Sequence, residues 1–354
     1  MIRIFDLSQR GEWDALVRTF PNYDVYYLSG YANAFFLHGD GTPVLFYYET
    51  AQMRGIYAAM MRDVSKIDGF KGKIEEGTCF DLISPYGYGG FLLDGQVDDE
   101  SLKALYDEFV QYMRDRHIVC NFTRYSPVLK NAEPMKRIFN VIDLGKTVAM
   151  DLESEELIWS NIIGKCHNKI NKAKRNGLVV KHSNSDFELY KTFMEIYKET
   201  MDHDDATDYY YFSEEFYRSI HEDMHDEYEL FYVELEGKII AMSIMLFANG
   251  YMHYHLSGSL VEYRNMAPTN LLLYEAAKWG SQKGFRLLHL GGGVGSGEDS
   301  LYIFKMSFNK NSDFQFSISK DIFDQEKYNE LVELRKQVDP YFNVESSFFP
   351  LYRA

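Results

Sequence analysis

Cysteine is scarce in this chain: Cys79, Cys120 and Cys166 are the only 3. Their number is odd and their spacing fits no metal or redox motif. The expectation is buried thiols in a reducing compartment, with no disulfide framework and no metal site. Basic residues are also in short supply, 37 Lys and Arg against 53 Asp and Glu, a formal net charge of −16. Such a field argues against nonspecific binding of duplex DNA, although it leaves room for a local basic site. Long apolar runs are missing. The longest, IIAMSIMLFA, is too short to span a bilayer, so no transmembrane segment is expected. The opening stretch MIRIFDLSQRGEWD lacks the apolar core of a secretory leader. The location expected from these absences is cytoplasmic. The 8 prolines build no linker, and no low-complexity segment interrupts the chain.

What is present is an apolar fraction of 46%, with 28 Tyr and 26 Phe, over a length that favours two domains. VLFYYE and GIYAAMMRDV read as strands around a polar turn. After FDLIS, PYGYGG and FLL, the stretch DDESLKALYDEFVQYMRDRH carries Leu102, Leu105, Tyr106, Phe109 and Met113 at helical spacing, and IVCNFT follows as a buried strand. In the second half a helix is expected from Ser154 to about Arg175, ended by Gly177. LVVKH is a strand, DFELYKTFMEIYKETM and SEEFYRSIHEDMH are helices, and YELFYVEL, IIAMSIMLF and YMHYHLSG form an antiparallel meander. A loop, a helix ending at Gly284 and the strand FRLLHL complete it. Meander, loop, helix and strand thus occur twice, an architecture that looks duplicated.

Four stretches carry chemistry. In the loop YRNMAPTN, Arg264 could offer charge, Thr269 or Asn270 a helix cap, and the following helix start free N–H groups for an anion, with an ordinary loop carrying proline near a helix start as the alternative. The run LLHLGGGVGSGEDSLYIFKMSF places Gly291, Gly292 and Gly293 at the end of a strand and Lys305 on a short helix beyond it. Glycines there let a ligand approach the backbone, and the lysine either faces what enters or snorkels beside a flexible loop. From Leu157 through Ser185 there is no acid, and Lys169, Lys172 and Arg175 crowd one helix with Lys165 and Lys174. That helix is either an anion-binding face or a solvated basic one. In MDHDDATDYYY, Asp202, His203, Asp204, Asp205 and Asp208 follow a helix, and a carboxylate or the histidine, Asp205 and His203 foremost, could meet an acceptor amine and take its proton, with an ordinary acidic loop as the alternative. Tyr254, alternating with His253 and His255, is a candidate donor to a leaving group. Tyr86 and Tyr88 of SPYGYGG wall either a small-molecule pocket or a tight turn.

Read in order, SPYGYGG, IIGKCHNKINKAKRNGLVV, PTNLLLYEAAKWGSQKG and LHLGGG…DSLYIFKMSF resemble the FemABX family and its BioF2-like acyltransferase relatives, over roughly Phe80 to Phe308. The resemblance implies an α/β (α+β) chain of two tandem domains of the GNAT acyltransferase type, each a mixed, mainly antiparallel sheet flanked by helices. The implied domains are 1–150 on the acceptor side, with 324–354 returning to it, and 151–323 on the donor side. It implies Arg264, Asn265, Ala267, Thr269, Asn270 and Gly291 to Gly293 as the donor site. Lys305 falls on the lysine of the family motif, with a role in neutralising charge on the donor or the developing oxyanion. The implied reaction is amide formation by direct attack of an amine of a cell-wall or cell-surface precursor. Acyl-CoA fits the acidic total charge and the lack of a coiled-coil arm between Tyr211 and Tyr228; aminoacyl-tRNA fits the family's best-known peptidoglycan-bridge chemistry and the basic helix. A non-catalytic binding module is the third reading. Two departures stand out. The donor loop has Ala267 and Pro268 where the superfamily has glycines, and YYLSGYANAFF lacks the lysine that meets the phosphates of a peptidoglycan precursor.

Overall fold

The computed structural model describes residues 2–354. In chain order the elements are β1 (Ile2–Phe5), α1 (Arg10–Arg18), α2 (Ser29–His38), β2 (Thr42–Glu49), β3 (Met53–Asp63), β4 (Phe80–Ile83), β5 (Leu92–Gly95), α3 (Asp99–Asp115), β6 (Ile118–Arg124) and α4 (Ala132–Met135). There follow β7 (Val141–Asp151), α5 (Glu155–Asn161), α6 (Gly164–Arg175), β8 (Val179–Ser183), α7 (Glu188–His203), α8 (Glu214–Asp223), β9 (Tyr228–Leu235), β10 (Lys238–Ala248), β11 (Tyr251–Ser259), α9 (Pro268–Gln282), β12 (Leu287–Gly291) and α10 (Ser300–Met306). The chain closes with β13 (Phe314–Ile322) and α11 (Gln325–Val338). Two compact units result, Met1–Leu144 with Phe316–Ala354, and Gly145–Gln315.

In the first unit the strands run β1-β2-β3-β4-β6-β13, with β5 on β3. Every pair is antiparallel except β4 with β6. Leu102, Leu105, Phe109 and Met113 of α3 are fully buried against Phe46, Tyr57 and Phe91, as the helical spacing of those residues requires. The segment YYLSGYANAFF is core: Tyr27, Tyr31 and Phe35 are buried on and before α2. Asp81 is sealed from solvent and takes Arg62 Nε and Arg353 Nε, each at 2.6 Å, with the Tyr352 hydroxyl at 3.0 Å. These contacts tie the end of the chain to β4.

In the second unit the order is β7-β12-β11-β10-β9-β8, antiparallel except for β11 beside β12. Apolar residues of α5, α6 and α9 (Ile158, Cys166, Ile170, Leu271, Leu272, Ala276) share one core with Met150, Phe231, Met245, Met252 and Leu288 of the strands. Helix α7 packs on β10 and β11 so closely that a Cβ on Gly258 would lie 2.8 Å from the Ile196 carbonyl oxygen, so only glycine fits there. The helix expected from Ser154 to Arg175 is two helices. Ile162 and Ile163 are extended, with ψ of 137° and 153°. The Ile163 N–H leaves the helical ladder to donate to the Ser307 carbonyl at 3.0 Å. Two successive β-branched residues before a glycine make that break inexpensive.

Candidate active site

The parallel ladder between β11 and β12 is short. It holds Tyr251 opposite Leu287, Met252 opposite Leu288 and His253 opposite His289, and then ends. Beyond it both strands are irregular: β11 bulges against β10 between the pairings of Ile244 and Met245, and β12 against β7 between His289 and Gly291. Bulges bend and twist a strand, so the C-terminal ends of β11 and β12 part. Ligands of open α/β sheets bind at such ends. From β11 the chain enters a tight turn, Val261–Met266, and then α9; from β12 it enters the glycine segment and then α10.

At the start of α9, Ala267 is the N-cap residue in the left-handed region (φ 60°) and Pro268 occupies the first helical position. No side chain caps this helix, so the expected cap by Thr269 or Asn270 is not formed. The physical reason lies in the sequence. A proline at the first position fixes the helix entry, and Ala267 takes the left-handed conformation that usually favours glycine. Asn270 points inward, 5% exposed, and its amide donates to Cys166 Sγ at 3.4 Å. What Thr269 and Asn270 present at the helix start is their backbone N–H groups.

Cys166 lies where three sequence motifs meet. It is buried on α6, touches Asn270 of α9, and has the Ser307 hydroxyl at the end of α10 as a second partner. Lys172, two turns further along α6, donates to the Asn265 carbonyl of the turn at 2.7 Å. Lys165, Lys169 and Lys172 share a face of α6 by their spacing and are exposed, as is Arg175. Arg264 lies on the same turn. Its Nη1 is 3.2 Å from His203 Nδ1 and 3.6 Å from an Asp204 oxygen, and its Nε is buried without a hydrogen-bond partner among the described residues. Asp205 follows with φ 50°, exposed at the end of α7, and its side chain makes no hydrogen bond among the described residues.

The glycine segment and Lys305 close on each other. Gly291 has φ 81°. A Cβ on Gly293 would lie 2.2 Å from the Gly297 carbonyl oxygen and 2.3 Å from an Asp299 oxygen, which leaves no room for a side chain. Asp299 caps α10 by accepting from the Tyr302 N–H at 2.9 Å, and also takes the Val294 N–H at 3.1 Å. Lys305 is buried, 9% exposed, and donates to the Gly292 carbonyl at 2.6 Å. Burial lowers its ammonium from 10.5 to about 8, while Asp299 opposes the fall. Behind it His289 is buried, with Nε2 2.9 Å from the Thr147 hydroxyl and its ring 5.7 Å from that of His253. Burial, then His253 and the Lys305 charge, hold His289 well below its ordinary range, and burial with His253 takes His255 to about 3. His289 and His255 are therefore neutral at physiological pH. Tyr254 is half-buried against the same core, and burial raises its phenol to about 12, so it keeps its proton.

Tyr86 and Tyr88 stand in the first unit. Tyr86 stacks on Phe35 at 5.6 Å, and its carbonyl takes the Tyr31 hydroxyl at 2.5 Å. Tyr88 meets Tyr26 and Phe316 edge-on at 5.6 and 5.7 Å. Arg124 grips their loop through the Ser84 and Pro85 carbonyls at 3.0 and 3.2 Å. Both tyrosines are half-buried, part of an aromatic wall with one side toward solvent.

The site therefore joins Lys172 with Asn265, His203 with Arg264, Lys305 with Gly292, and Asn270 with the basic helix. Lys169, Arg175 and Asp205 are placed at its surface without ion pairs among the described residues. Two participants were not expected at the site from sequence: His289, and Cys166, which was read only as a buried thiol on the apolar stripe of its helix. His289 could have been noticed as the one polar residue in the run LLHL.

Residues 162–300 match the family model described as an acetyltransferase (GNAT) domain. FemX has a similar fold, at a TM-score of 0.66 and 17% identity over 93% of this chain and 99% of that one. The C-terminal domain of a putative lysylphosphatidylglycerol synthetase from Agrobacterium fabrum aligns at 0.53 and 14% identity over 88% of this chain and 92% of that one. L-PGS from Bacillus licheniformis aligns at 0.51 and 11% over 85% and 90%. No curated protein matches the chain. Within the second unit, residues 162–300 thus match a GNAT acetyltransferase domain, and the GNAT-type architecture and FemABX-like resemblance expected from the motifs hold for the fold. No helix among the described residues is long and apolar enough to cross a membrane, and no group of three or more His, Cys, Asp or Glu among them could hold a metal ion.

Proposed function

We propose that this chain is an N-acyltransferase that holds an anionic acyl donor, acyl-CoA, at the start of α9 and passes the acyl group to an amine of a cell-wall or cell-surface precursor. The observation that carries the reading is the convergence of α6, α9 and α10 at Cys166. It sets an uncapped helix start, Lys172, Arg264 with a buried Nε that has no partner among the described residues, and Lys305 on one end of one sheet. The donor set fits a pyrophosphate. Backbone N–H groups of Thr269 and Asn270, the helix dipole and two cations, Lys172 and Arg264, favour an anion there. CoA would supply an activated thioester; the chain would hold its phosphates, orient its carbonyl and neutralise charge.

In the transfer the amine nitrogen attacks the thioester carbon, the C–N bond forms, the C–S bond breaks, and thiol leaves. Lys305, a cation below about pH 8, would stabilise the negative charge that develops on the carbonyl oxygen. Tyr254, protonated throughout the neutral range, would give a proton to the leaving group. No covalent intermediate is needed. All three cysteines are buried, and burial raises each thiol, Cys79 to about 11, so none is a thiolate at neutral pH. On the acceptor side we assign Tyr86 and Tyr88 to the first unit's contact with the acceptor, and His203 and Asp205 to the amine.

A second reading, aminoacyl-tRNA as donor, is favoured by the exposed stripe of Lys165, Lys169, Lys172 and Arg175. The experiment supplies labelled acetyl-CoA and labelled aminoacyl-tRNA in parallel to a panel of amines, including lipid-linked and nucleotide-linked muropeptides, and follows thermal stability with CoA. Label transfer from the thioester and a CoA-dependent rise in Tm support the first reading. Transfer from tRNA alone replaces it with the second, and neither transfer nor stabilisation leaves a binding module.

A further inference from the structure

A groove of 680 Å³ opens in the second unit between α7, the start of β10 and the chain just beyond β11. Its size is that of a small-molecule cleft. Ile196, Ile239 and Leu260 give it apolar surface, the first buried and the other two half-buried. Glu195 and Glu199, one turn apart on α7, line one side, and Lys238 and Glu262 also border it. The last two neutralise each other. Lys238 Nζ donates to Glu262 Oε1 at 2.9 Å and to the Tyr263 hydroxyl at 3.3 Å, and it lies over the Tyr263 ring at 4.8 Å. The lysines of α7 are committed elsewhere. Lys191 holds both oxygens of Glu188, at 2.7 and 2.9 Å, and Lys198 holds Asp202 at 2.6 Å. Glu199 accepts the Val261 N–H at 2.9 Å, and neither it nor Glu195 forms an ion pair among the described residues. Like charges at this spacing on a helix repel, so α7 carries a small cost that a cation between them would remove.

We propose that this groove binds a free aliphatic amine in its ammonium form, with the carbon chain on Ile196, Ile239 and Leu260 and the charge between Glu195 and Glu199. Two properties select that chemistry. Three carboxylates border the groove against one lysine, itself spent on Glu262, so the groove is complementary to a cation and repels an anion. The apolar surface beside the carboxylates calls for a stem of methylene groups, which a hydrated metal ion or bare ammonium lacks. The main chain favours a free amine over the lysine of a peptide. The Leu260 N–H is on the Ile240 carbonyl at 2.9 Å and the Val261 N–H is on Glu199, so a peptide backbone would find neither donor open. An ammonium needs only acceptors, and Glu195 and Glu199 are acceptors. The groove recognises a ligand and performs no chemistry, and it does not depend on the donor site proposed above. The two places share the turn Val261–Met266, which borders the groove through Val261 and Glu262 and carries Arg264 and Asn265.

The test titrates the whole protein with pentylammonium at neutral pH and fixed ionic strength. It reads the isoleucine methyl signals by NMR, with Ile196 and Ile239 assigned from the Ile196→Val and Ile239→Val variants. Pentylammonium should move both signals and saturate. 1-Pentanol, which has the stem without the charge, and ammonium, which has the charge without the stem, should each bind at least about ten-fold more weakly, and pentanoate should not bind. Glu195→Gln and Glu199→Gln change exposed side chains at constant shape, and the new amide oxygen at position 199 can still accept the Val261 N–H. Each should weaken pentylammonium by about five-fold. Glu215→Gln, on α8 and outside the groove, should leave its Kd unchanged. Failure of pentylammonium to saturate overturns the proposal. Equal affinity for 1-pentanol overturns it too, because the groove would then read the stem alone. Binding that Glu195→Gln and Glu199→Gln leave intact would put the amine elsewhere. If Nα-acetyl-lysine methylamide binds ten-fold more tightly than pentylammonium, the occupant is a peptide side chain and the free amine is refuted. Each of these outcomes reads the same whether or not the protein binds CoA.

Discussion

Replacing Lys305 by Met should make the protein more stable and less active at once. A buried ammonium is costly, and the fall of its proton affinity from 10.5 to about 8 expresses that cost. Since one pH unit is about 1.4 kcal/mol, the penalty on the folded state at neutral pH is about 3 kcal/mol. The sign follows from which state holds the proton. Below pH 8 both folded and unfolded chains carry it and the penalty is complete. Between 8 and 10.5 the unfolded chain keeps a proton that the folded one has shed, so stability rises with pH across that window. Above it the penalty is gone. Methionine fills a similar volume without charge, although it forfeits the bond to the Gly292 carbonyl, worth about 1.5 to 3 kcal/mol for a charged donor. The two terms leave Lys305→Met between neutral and about 2 kcal/mol more stable at pH 7.

Denaturant unfolding of parent and variant from pH 7 to 10.5 measures this. The parent should gain on the variant as the pH passes through 8 to 10.5. Transfer kinetics of the parent over the same range should fall above about pH 8, where the lysine loses its charge. The variant should lose most of its turnover at every pH; Lys305→Ala should likewise lose more activity than stability, because a short helix tolerates alanine. A Lys305→Met protein that is several kcal/mol less stable and fully active would refute the reasoning and make the lysine a structural pin for the glycine segment.

Other substitutions probe the remaining parts. Neutralising Lys169, Lys172 and Arg175 together should weaken donor binding and flatten its salt dependence; an unchanged Kd and salt slope would return α6 to a solvated face. Ala267→Gly should raise stability by up to about 1 kcal/mol, since φ 60° costs alanine and not glycine, which thermal melting reports. Gly293→Ala should cost about 1 to 3 kcal/mol and activity together by pushing Asp299 off the α10 cap; a neutral melting temperature would show that the segment can yield. In the first unit Asp81→Asn should cost about 3 to 5 kcal/mol, read by chemical denaturation, because Arg62 and Arg353 would keep their charges, mostly buried, with no carboxylate between them.

Much of this was legible in the sequence, and the physics says which parts. Leu102, Leu105, Phe109 and Met113 recur at the helical period, and all four are buried on α3. The meander from Tyr228 to Ser259 needed only β-rich runs and two turns, at Glu236–Gly237 and Asn249–Gly250, which take positive φ. The break at Ile162–Ile163 was hidden because its cause is a bond to Ser307, far along the chain. The cap of α9 was misread because Thr269 and Asn270 are good capping residues placed two and three positions too late, after a proline that fixes the helix start. The Arg264–His203–Asp204 contact had no signal, for it depends on how the end of α7 meets the turn after β11. Local chemistry is written in the residues, whereas which side chains share one nitrogen is set by packing.

The two units also differ in how they treat a helix start, and that difference supports the proposed donor site in the second. Helix α3 opens with its own carboxylate: Asp98 takes the Ser101 N–H at 2.8 Å, and Asp99 and Glu100 fill the first turn. A phosphate there would meet two further negative charges and a donor already in use, and at short range that repulsion exceeds anything the dipole offers. Helix α9 has no acid in its first turn and no side-chain cap, and Lys172 and Arg264 flank it. The general acidity of the chain sharpens the contrast. At physiological ionic strength charges more than about 8 Å apart are largely screened, so a local group of cations can hold a compact pyrophosphate within an acidic surface. A long polyanion gains less, because most of its phosphates would lie over that surface. This reasoning supports a CoA-sized donor over a tRNA, and it expects CoA binding to weaken far less steeply with added salt than tRNA binding would. A steep salt slope for CoA, with several ions released per molecule bound, would count against it.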